Sequence, residues 1–155
     1  MDQLVTVERL STAIAQASIL YNRLVLLVAP AGMGKTNYLC AVAEQQGFRY
    51  INVNLELSRC LLDLTERQRA LQTPRVLADI VSKKGEEVML LDNIEILFDV
   101  SLKQDPLRLL QGLSRNQTVV TAWSGAVVDR LLLYAQPDHP EYRRYPVDDL
   151  VVVSP

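Results

Sequence analysis

The stretch APAGMGKT, residues 29–36, constrains the fold of this chain more than any other because it lies between an apolar run and a helical pattern. The run RLVLLVA at 23–29 is short and continuously apolar, which is typical of a strand buried on both faces of a parallel sheet. Residues 34–46 have helical periodicity, and Gly47 is placed to end that helix. A strand joined directly to a helix by such a loop is the pattern of a phosphate-binding loop.

The loop fits the pattern GxxxxGK[ST], with Ala29 in place of the first glycine. Glycines let a loop curl so that successive backbone N–H groups point at a phosphate held at the electropositive start of a helix. Lys35 is expected to reach the β- and γ-phosphates, and the Thr36 hydroxyl is expected to bind Mg²⁺. A purely structural turn is the alternative. The predicted nucleotide contacts are Ala31, Gly32, Met33, Gly34, Lys35, Thr36 and Asn37.

A second motif, EVMLLD at 87–92, predicts a strand that ends in a carboxylate. This strand is expected to neighbour the strand before the loop, which would place Asp92 at the C-terminal edge of the sheet and facing the Mg²⁺ site. An N-cap for a following helix is the alternative role for Asp92. Hydrolysis also needs a carboxylate that orients or deprotonates water, and Asn93 follows Asp92 where many ATPases have glutamate. Glu95 is the remaining candidate, so binding is predicted and turnover is left open.

Strand-like and helix-like segments alternate along the rest of the chain, which predicts right-handed βαβ units. The expected fold is α/β, a three-layer sandwich with a five-stranded, mainly parallel sheet, in one domain over 1–155. The segment 136–146 is predicted to be a loop. Strands are predicted at 23–29, 49–55, 87–92, 117–123 and 149–153, and helices at 5–21, 34–46, 55–69, from Pro74 to Lys84, 106–114 and 125–135.

The composition of the chain indicates which classes of partner and location are expected. The net charge of −2 gives no overall basic field, so direct DNA contact is allowed but not supported. Cys40 and Cys60 are far apart and His139 is the single histidine, which argues against a zinc site or a disulfide scaffold. No apolar run approaches the ~20 residues of a membrane span, and no signal segment is evident. A cytoplasmic location without a membrane partner is expected.

In the order of these motifs the chain resembles the core α/β subdomain of AAA+ and STAND-type P-loop ATPases. The strings INVNLELSRCLLDLTERQR, LLDNIEILFD and DPLRLLQGLSRNQTVVTAW are similar to the small P-loop protein of type 3 BREX bacteriophage-defence systems. This resemblance implies an AAA+/ASCE-like core that binds ATP and Mg²⁺. The expected fold departs from full AAA+ architecture in that no helical lid is predicted after residue 153. The resemblance also implies homo-oligomers and a role in assembly or signalling with other defence-system proteins.

The resemblance further implies roles for residues outside the loop. In TVVTAWSG, Thr121 and Ser124 lie near the position of a sensor residue that contacts the γ-phosphate, although Thr121 reads equally well as a strand residue packed on a helix. Arg143 and Arg144 lie where ring-forming ATPases present an arginine finger to the neighbouring subunit. A solvated basic pair beside acidic residues is the alternative.

Three functions remain open from the sequence. The first is a weak or partner-stimulated ATPase whose nucleotide state controls assembly. The second is a structural subunit that binds nucleotide as a folding ligand without hydrolysing it. The third is a small-molecule kinase, although the arginines are too dispersed to indicate its lid. No NKxD-like motif for guanine is present.

Overall fold

The centre of the molecule is a parallel sheet covered by helices on both faces, in a computed structural model that describes residues 2–82 and 85–155. Five strands form the parallel part and two more extend it as an antiparallel hairpin. The helices are α1 (Asp2–Ala17), α2 (Lys35–Gln46), α3 (Val53–Leu61), α4 (Glu66–Val81) and α5 (Pro106–Leu113). The strands are β1 (Leu24–Ala29), β2 (Arg49–Asn52), β3 (Val88–Asp92), β4 (Thr118–Val128), β5 (Leu131–Tyr134), β6 (Arg143–Pro146) and β7 (Val151–Val153).

The parallel strands lie in the order β2-β3-β4-β1-β7, which confirms the predicted α/β class and parallel sheet. One detail of the prediction is wrong. The strand that ends in Asp92, β3, does not neighbour β1, because β4 lies between them and pairs with both. The carboxylate therefore reaches the loop across the end of an intervening strand.

The sheet is buried on both faces because alternate residues of its central strands enter two separate cores. On β1, Val25 and Leu27 face a core shared with α1 and α2. Leu26 and Val28 face the other core, to which α3, α4 and α5 contribute. This arrangement explains why β1 reads as a continuous apolar run, and it gives the three layers that the sequence predicts.

The segment after β2 differs from the prediction because local caps define the helices. The strand predicted over 49–55 ends at Asn52, whose side chain accepts a hydrogen bond from Leu55 N at 3.1 Å and caps α3. The single helix predicted over 55–69 is two helices, because Thr65 and Gln68 form a reciprocal capping box that starts α4.

Pro74 lies inside α4, so the prediction that it starts a separate helix is wrong. Proline cannot donate to the carbonyl four residues earlier, which here is that of Ala70. The carbonyl of Ala70 is satisfied instead by the Gln104 side chain, which donates to Ala70 O at 2.8 Å. A tertiary contact thus makes an interior proline tolerable, and the predicted helix end at Lys84 lies outside the described residues.

The predicted helix at 125–135 and the predicted loop at 136–146 are both wrong. Strand β4 runs on to Val128, turns through Asp129 and Arg130 with positive φ of 51° and 63°, and returns as β5. β6 then pairs with β5 inside the predicted loop 136–146. The close approach depends on Gly125, because a Cβ there would lie 1.9 Å from Leu133 O.

Across residues 2–82 and 85–155, none of the helices combines the length and the apolar character that a bilayer crossing requires.

Candidate functional site

The loop between β1 and α2 has the curled backbone that its sequence predicts. Gly32 and Gly34 adopt positive φ of 81° and 82°, a region that favours glycine. Gly34 is the N-cap of α2, so the first N–H groups of this helix open toward the loop. These groups and the helix dipole make the loop suitable for an anion.

Lys35 begins α2 and is nearly buried. Its Nζ donates to the carbonyl oxygens of Ala29 and Pro30, both at 2.9 Å. Burial lowers the pKa of Lys35, while the nearby carboxylates of Glu95 and Asp92 act in the opposite direction. The ammonium group is thus folded back on its own loop, and phosphate oxygens can replace the two carbonyls.

Asp92 ends β3 and is buried, with both carboxylate oxygens hydrogen-bonded. Oδ2 accepts from Thr36 Oγ1 at 2.5 Å and from Tyr50 Oη at 2.7 Å, and Oδ1 accepts from Asn93 N at 2.9 Å. The structure therefore brings Thr36 and Asp92 together. Their hydroxyl and carboxylate oxygens are ligands that Mg²⁺ prefers, so the donor set fits this ion together with phosphate oxygens.

Tyr50 is a site residue that the sequence reasoning missed. Burial and the Asp92 carboxylate raise its pKa, which keeps the phenol protonated as a donor. Its role follows from the register of two parallel strands, which the local sequence does not contain: Tyr50 pairs with Leu90 and Asn52 with Asp92, so alternation places Tyr50 and Asp92 on one face.

Asn93 and Glu95 follow Asp92 in an unusual geometry. Asn93 has a positive φ of 55°, and the chain then enters a short 3₁₀ helix at Ile94–Phe98. Glu95 faces the same pocket as Lys35 and Asp92. Glu95 is exposed as a whole residue, but partial burial of its carboxyl raises its pKa, the Asp92 charge raises it further, and Lys35 opposes both. A carboxyl group with a raised pKa in a cleft is a candidate proton acceptor.

A pocket of about 310 Å³ collects most of the predicted residues. Every predicted loop contact except Met33 lines it, together with Asp92, Asn93 and Glu95. Met33 is exposed and lines a larger cleft of about 670 Å³ on the other side of the loop. That cleft has a mainly apolar wall made by Val5, Thr6, Arg9, Val28, Ala29, Pro30, Met33, Tyr38, Gly125, Ala126, Val127, Ser154 and Pro155.

Thr121 does not line the phosphate pocket. It is fully buried in β4, between Leu26 of β1 and Leu91 of β3, and its hydroxyl donates to Ala122 O at 3.3 Å. On β4 the hydroxyl-bearing residue that lines the pocket is Ser124, at the point where β4 passes the end of β1.

Arg143 and Arg144 lie on β6, outside the phosphate pocket. The half-buried Arg143 donates to Gln104 O at 2.8 Å, which ties the hairpin to the start of α5. Arg144 is exposed. No arginine among residues 2–82 and 85–155 lines the pocket.

Comparison with known proteins places this geometry among ATPases. Residues 25–122 match the model of the family described as "ATPase family associated with various cellular activities (AAA)". A structure of PCH-2 from C. elegans is similar with a TM-score of 0.54 and 16% identity, over 98% of this chain and 42% of that one. AMPPCP-bound DnaA from Aquifex aeolicus gives a TM-score of 0.45 and 17% identity, over 76% of this chain and 36% of that one. The chain thus spans less than half the length of either structure, and no curated protein sequence matches it.

Proposed function

This chain belongs to the AAA family of ATPases, and on that premise we propose that residues 1–155 act as one domain that binds ATP with Mg²⁺ and hydrolyses it slowly. The observation that carries the proposal is the convergence of Lys35, Thr36 and Asp92 on one pocket beneath the curled loop. Each of the three supplies a group that a magnesium-bound triphosphate needs: an ammonium ion, a hydroxyl and a carboxylate.

The two clefts that share the loop fit the two ends of a nucleotide. The smaller polar pocket takes the phosphates, with Lys35 leaving the carbonyls of Ala29 and Pro30 to contact them. The larger apolar cleft beside Met33 and Tyr38 takes the base and ribose, because a mainly apolar wall suits a flat heterocycle.

Thr36 and Asp92 would hold Mg²⁺, which would supply positive charge beside the phosphates. Hydrolysis then requires that water attack the γ-phosphorus while the bond to the β–γ bridging oxygen breaks. Glu95 is the proton acceptor for that water, because its carboxyl lies in the pocket and has a raised pKa. ADP and phosphate leave, and Glu95 returns its proton to solvent.

One observation favours a second candidate, a subunit that binds nucleotide without turnover. Asn93 directly follows Asp92 and lines the pocket, and an amide can hold a water molecule but cannot take its proton. The ATPase and the non-hydrolysing subunit differ in whether Glu95, in the 3₁₀ helix, can accept the proton of the attacking water.

Phosphate release distinguishes the two candidates. We expect Lys35→Ala to weaken binding by about 10- to 100-fold, as loss of a charged hydrogen bond does. Glu95→Gln should keep binding and lose about 100-fold in turnover. Glu44→Gln, an exposed glutamate on α2, is the matched control. Wild-type turnover that is absent, or that does not depend on Lys35, would refute the ATPase.

We further propose nucleotide-dependent homo-oligomers in which Arg144 acts on the neighbouring subunit. Arg144 is the better placed of the pair, because Arg143 is engaged with Gln104 O. Turnover per chain should then rise with protein concentration in the wild type and stay flat in Arg144→Ala. The same rise in both proteins would contradict this role.

The resemblance at 51–69, 90–99 and 105–123 supports a more specific proposal. The chain would act in the cytoplasm within a bacteriophage-defence complex of the BREX type, and ATP would control its assembly with the other proteins of that system. A tagged chain should co-purify with those proteins in the presence of ATP, and Lys35→Ala should not.

A further inference from the structure

Tyr50 contacts the carboxylate at the centre of the proposed magnesium site from a strand that carries none of the predicted motifs. Its ring packs in the core between the sheet and α2, and its hydroxyl donates to Asp92 Oδ2 at 2.7 Å. The same oxygen accepts from Thr36 Oγ1 at 2.5 Å. One carboxylate oxygen thus joins the loop, β3 and β2.

These contacts fix the plane of the carboxylate. The backbone N–H of Asn93 holds Oδ1 at 2.9 Å, and the hydroxyls of Thr36 and Tyr50 hold Oδ2. Thr36 is itself expected to turn a lone pair toward the ion. Of the two side chains that donate to Asp92, Tyr50 is the one whose hydrogen bond need not change when nucleotide binds.

We propose that Tyr50 is a positioning residue for Mg²⁺: it holds the Asp92 carboxylate in the orientation that accepts the ion or its bound water. The inference rests on the proposed function, since it concerns the same site. Groups that orient metal ligands in this way typically change metal affinity by about 10- to 100-fold when removed. Tyr50 does not line the phosphate pocket, so its proposed effect acts through Asp92.

The chain supplies a closely matched control. Tyr145 is also partly buried, and its hydroxyl also donates to an aspartate, Asp105 Oδ1, at 2.9 Å. That pair lies between β6 and the start of α5, outside the phosphate pocket. Tyr50→Phe and Tyr145→Phe therefore each delete one tyrosine–aspartate hydrogen bond and keep the ring.

The test is binding of a fluorescent ATP analogue, titrated with Mg²⁺ and repeated in excess EDTA. For Tyr50→Phe we expect the Mg²⁺ concentration at half-maximal binding to rise about tenfold, while the affinity in EDTA stays within about twofold of wild type. Tyr145→Phe should match the wild type under both conditions. Thermal unfolding of all three proteins without nucleotide checks that each is folded.

The outcomes separate this inference from the proposed function. A wild-type chain that binds the analogue, with the same Mg²⁺ requirement in Tyr50→Phe, overturns the role of Tyr50 alone. Equal weakening with and without Mg²⁺ also overturns it, because the tyrosine would then support the loop rather than the ion. A wild-type chain that binds no nucleotide overturns both.

Discussion

At the scale of single residues, Glu95 has surroundings that oppose its ionisation even though the residue is exposed overall. Burial raises its pKa above the usual 4.5, and the charge of Asp92 adds to this. The folded state therefore binds the proton more tightly than the unfolded chain does. Its contribution to stability is fully present below pH 4.5 and is lost as the pH rises through the folded-state pKa.

This asymmetry gives a prediction for the nucleotide-free protein. Glu95→Gln should have a higher Tm than the wild type at neutral pH, because the amide carries no charge to bury. The difference should shrink as the pH falls toward 4.5, where the wild-type carboxyl also becomes neutral. Calorimetric unfolding across this range measures it, with Glu44→Gln as control. A difference that does not change with pH would show that the carboxylate charge is not the cause.

The residues that the sequence could predict are those whose roles are set locally. The loop is predicted by the short stretch that contains a strand end, two glycines and a helix start. Asp92 is predicted by the apolar strand that it ends. Tyr50 depends on the register between β2 and β3. Ser124 reaches the pocket because β4 continues past the end of β1. Neither fact is present in the local sequence.

At the scale of elements, the β4–β5 hairpin shows tertiary packing overriding helical periodicity. Phe98 stacks on Tyr134, with ring centroids 3.5 Å apart, and Trp123 packs edge-on against both rings. Trp123 Nε1 also donates to Leu133 O at 3.1 Å. Of the apolar residues in this segment, Leu132 and Tyr134 enter the core from a strand, whereas Ala126, Val127 and Val128 are exposed.

Two glycine substitutions test this account of the hairpin. Gly125→Ala places a Cβ against Leu133 O and should destabilise the protein by about 1–3 kcal/mol or more. Gly112→Ala, in α5 where a Cβ meets nothing within 4 Å, should stabilise it by about 0.5–1 kcal/mol. Urea unfolding followed by fluorescence of the single Trp123 reports both. Equal stabilities for the two variants would contradict the close strand approach.

Element boundaries were hard to predict where a distant group decides them. The proline in α4 would normally start or break a helix, and the side chain that compensates for it, Gln104, lies 34 positions away. By contrast, α2 starts and ends at glycines within its own sequence, and both ends agree with the prediction to within a residue.

At the scale of the whole molecule, the parallel sheet brings the residues of the phosphate pocket together at one edge. β1 and β3 end beside the phosphate pocket and β4 runs past it, so these strands contribute the loop, Asp92 and Ser124. The alternation of strands and helices was sufficient to predict this layering. The strand order was not fully predictable, because the crossovers set which strands are neighbours and their sequences are compatible with more than one order.

The central claim is that the loop at 30–34 and Lys35 hold a triphosphate with Mg²⁺. Isothermal titration calorimetry of the wild type and Lys35→Ala with ATP and Mg²⁺ tests it most directly. The account predicts saturable heat with one site per chain for the wild type and binding about 10- to 100-fold weaker for Lys35→Ala. Absence of heat in the wild type, or equal affinity in the two proteins, would contradict it.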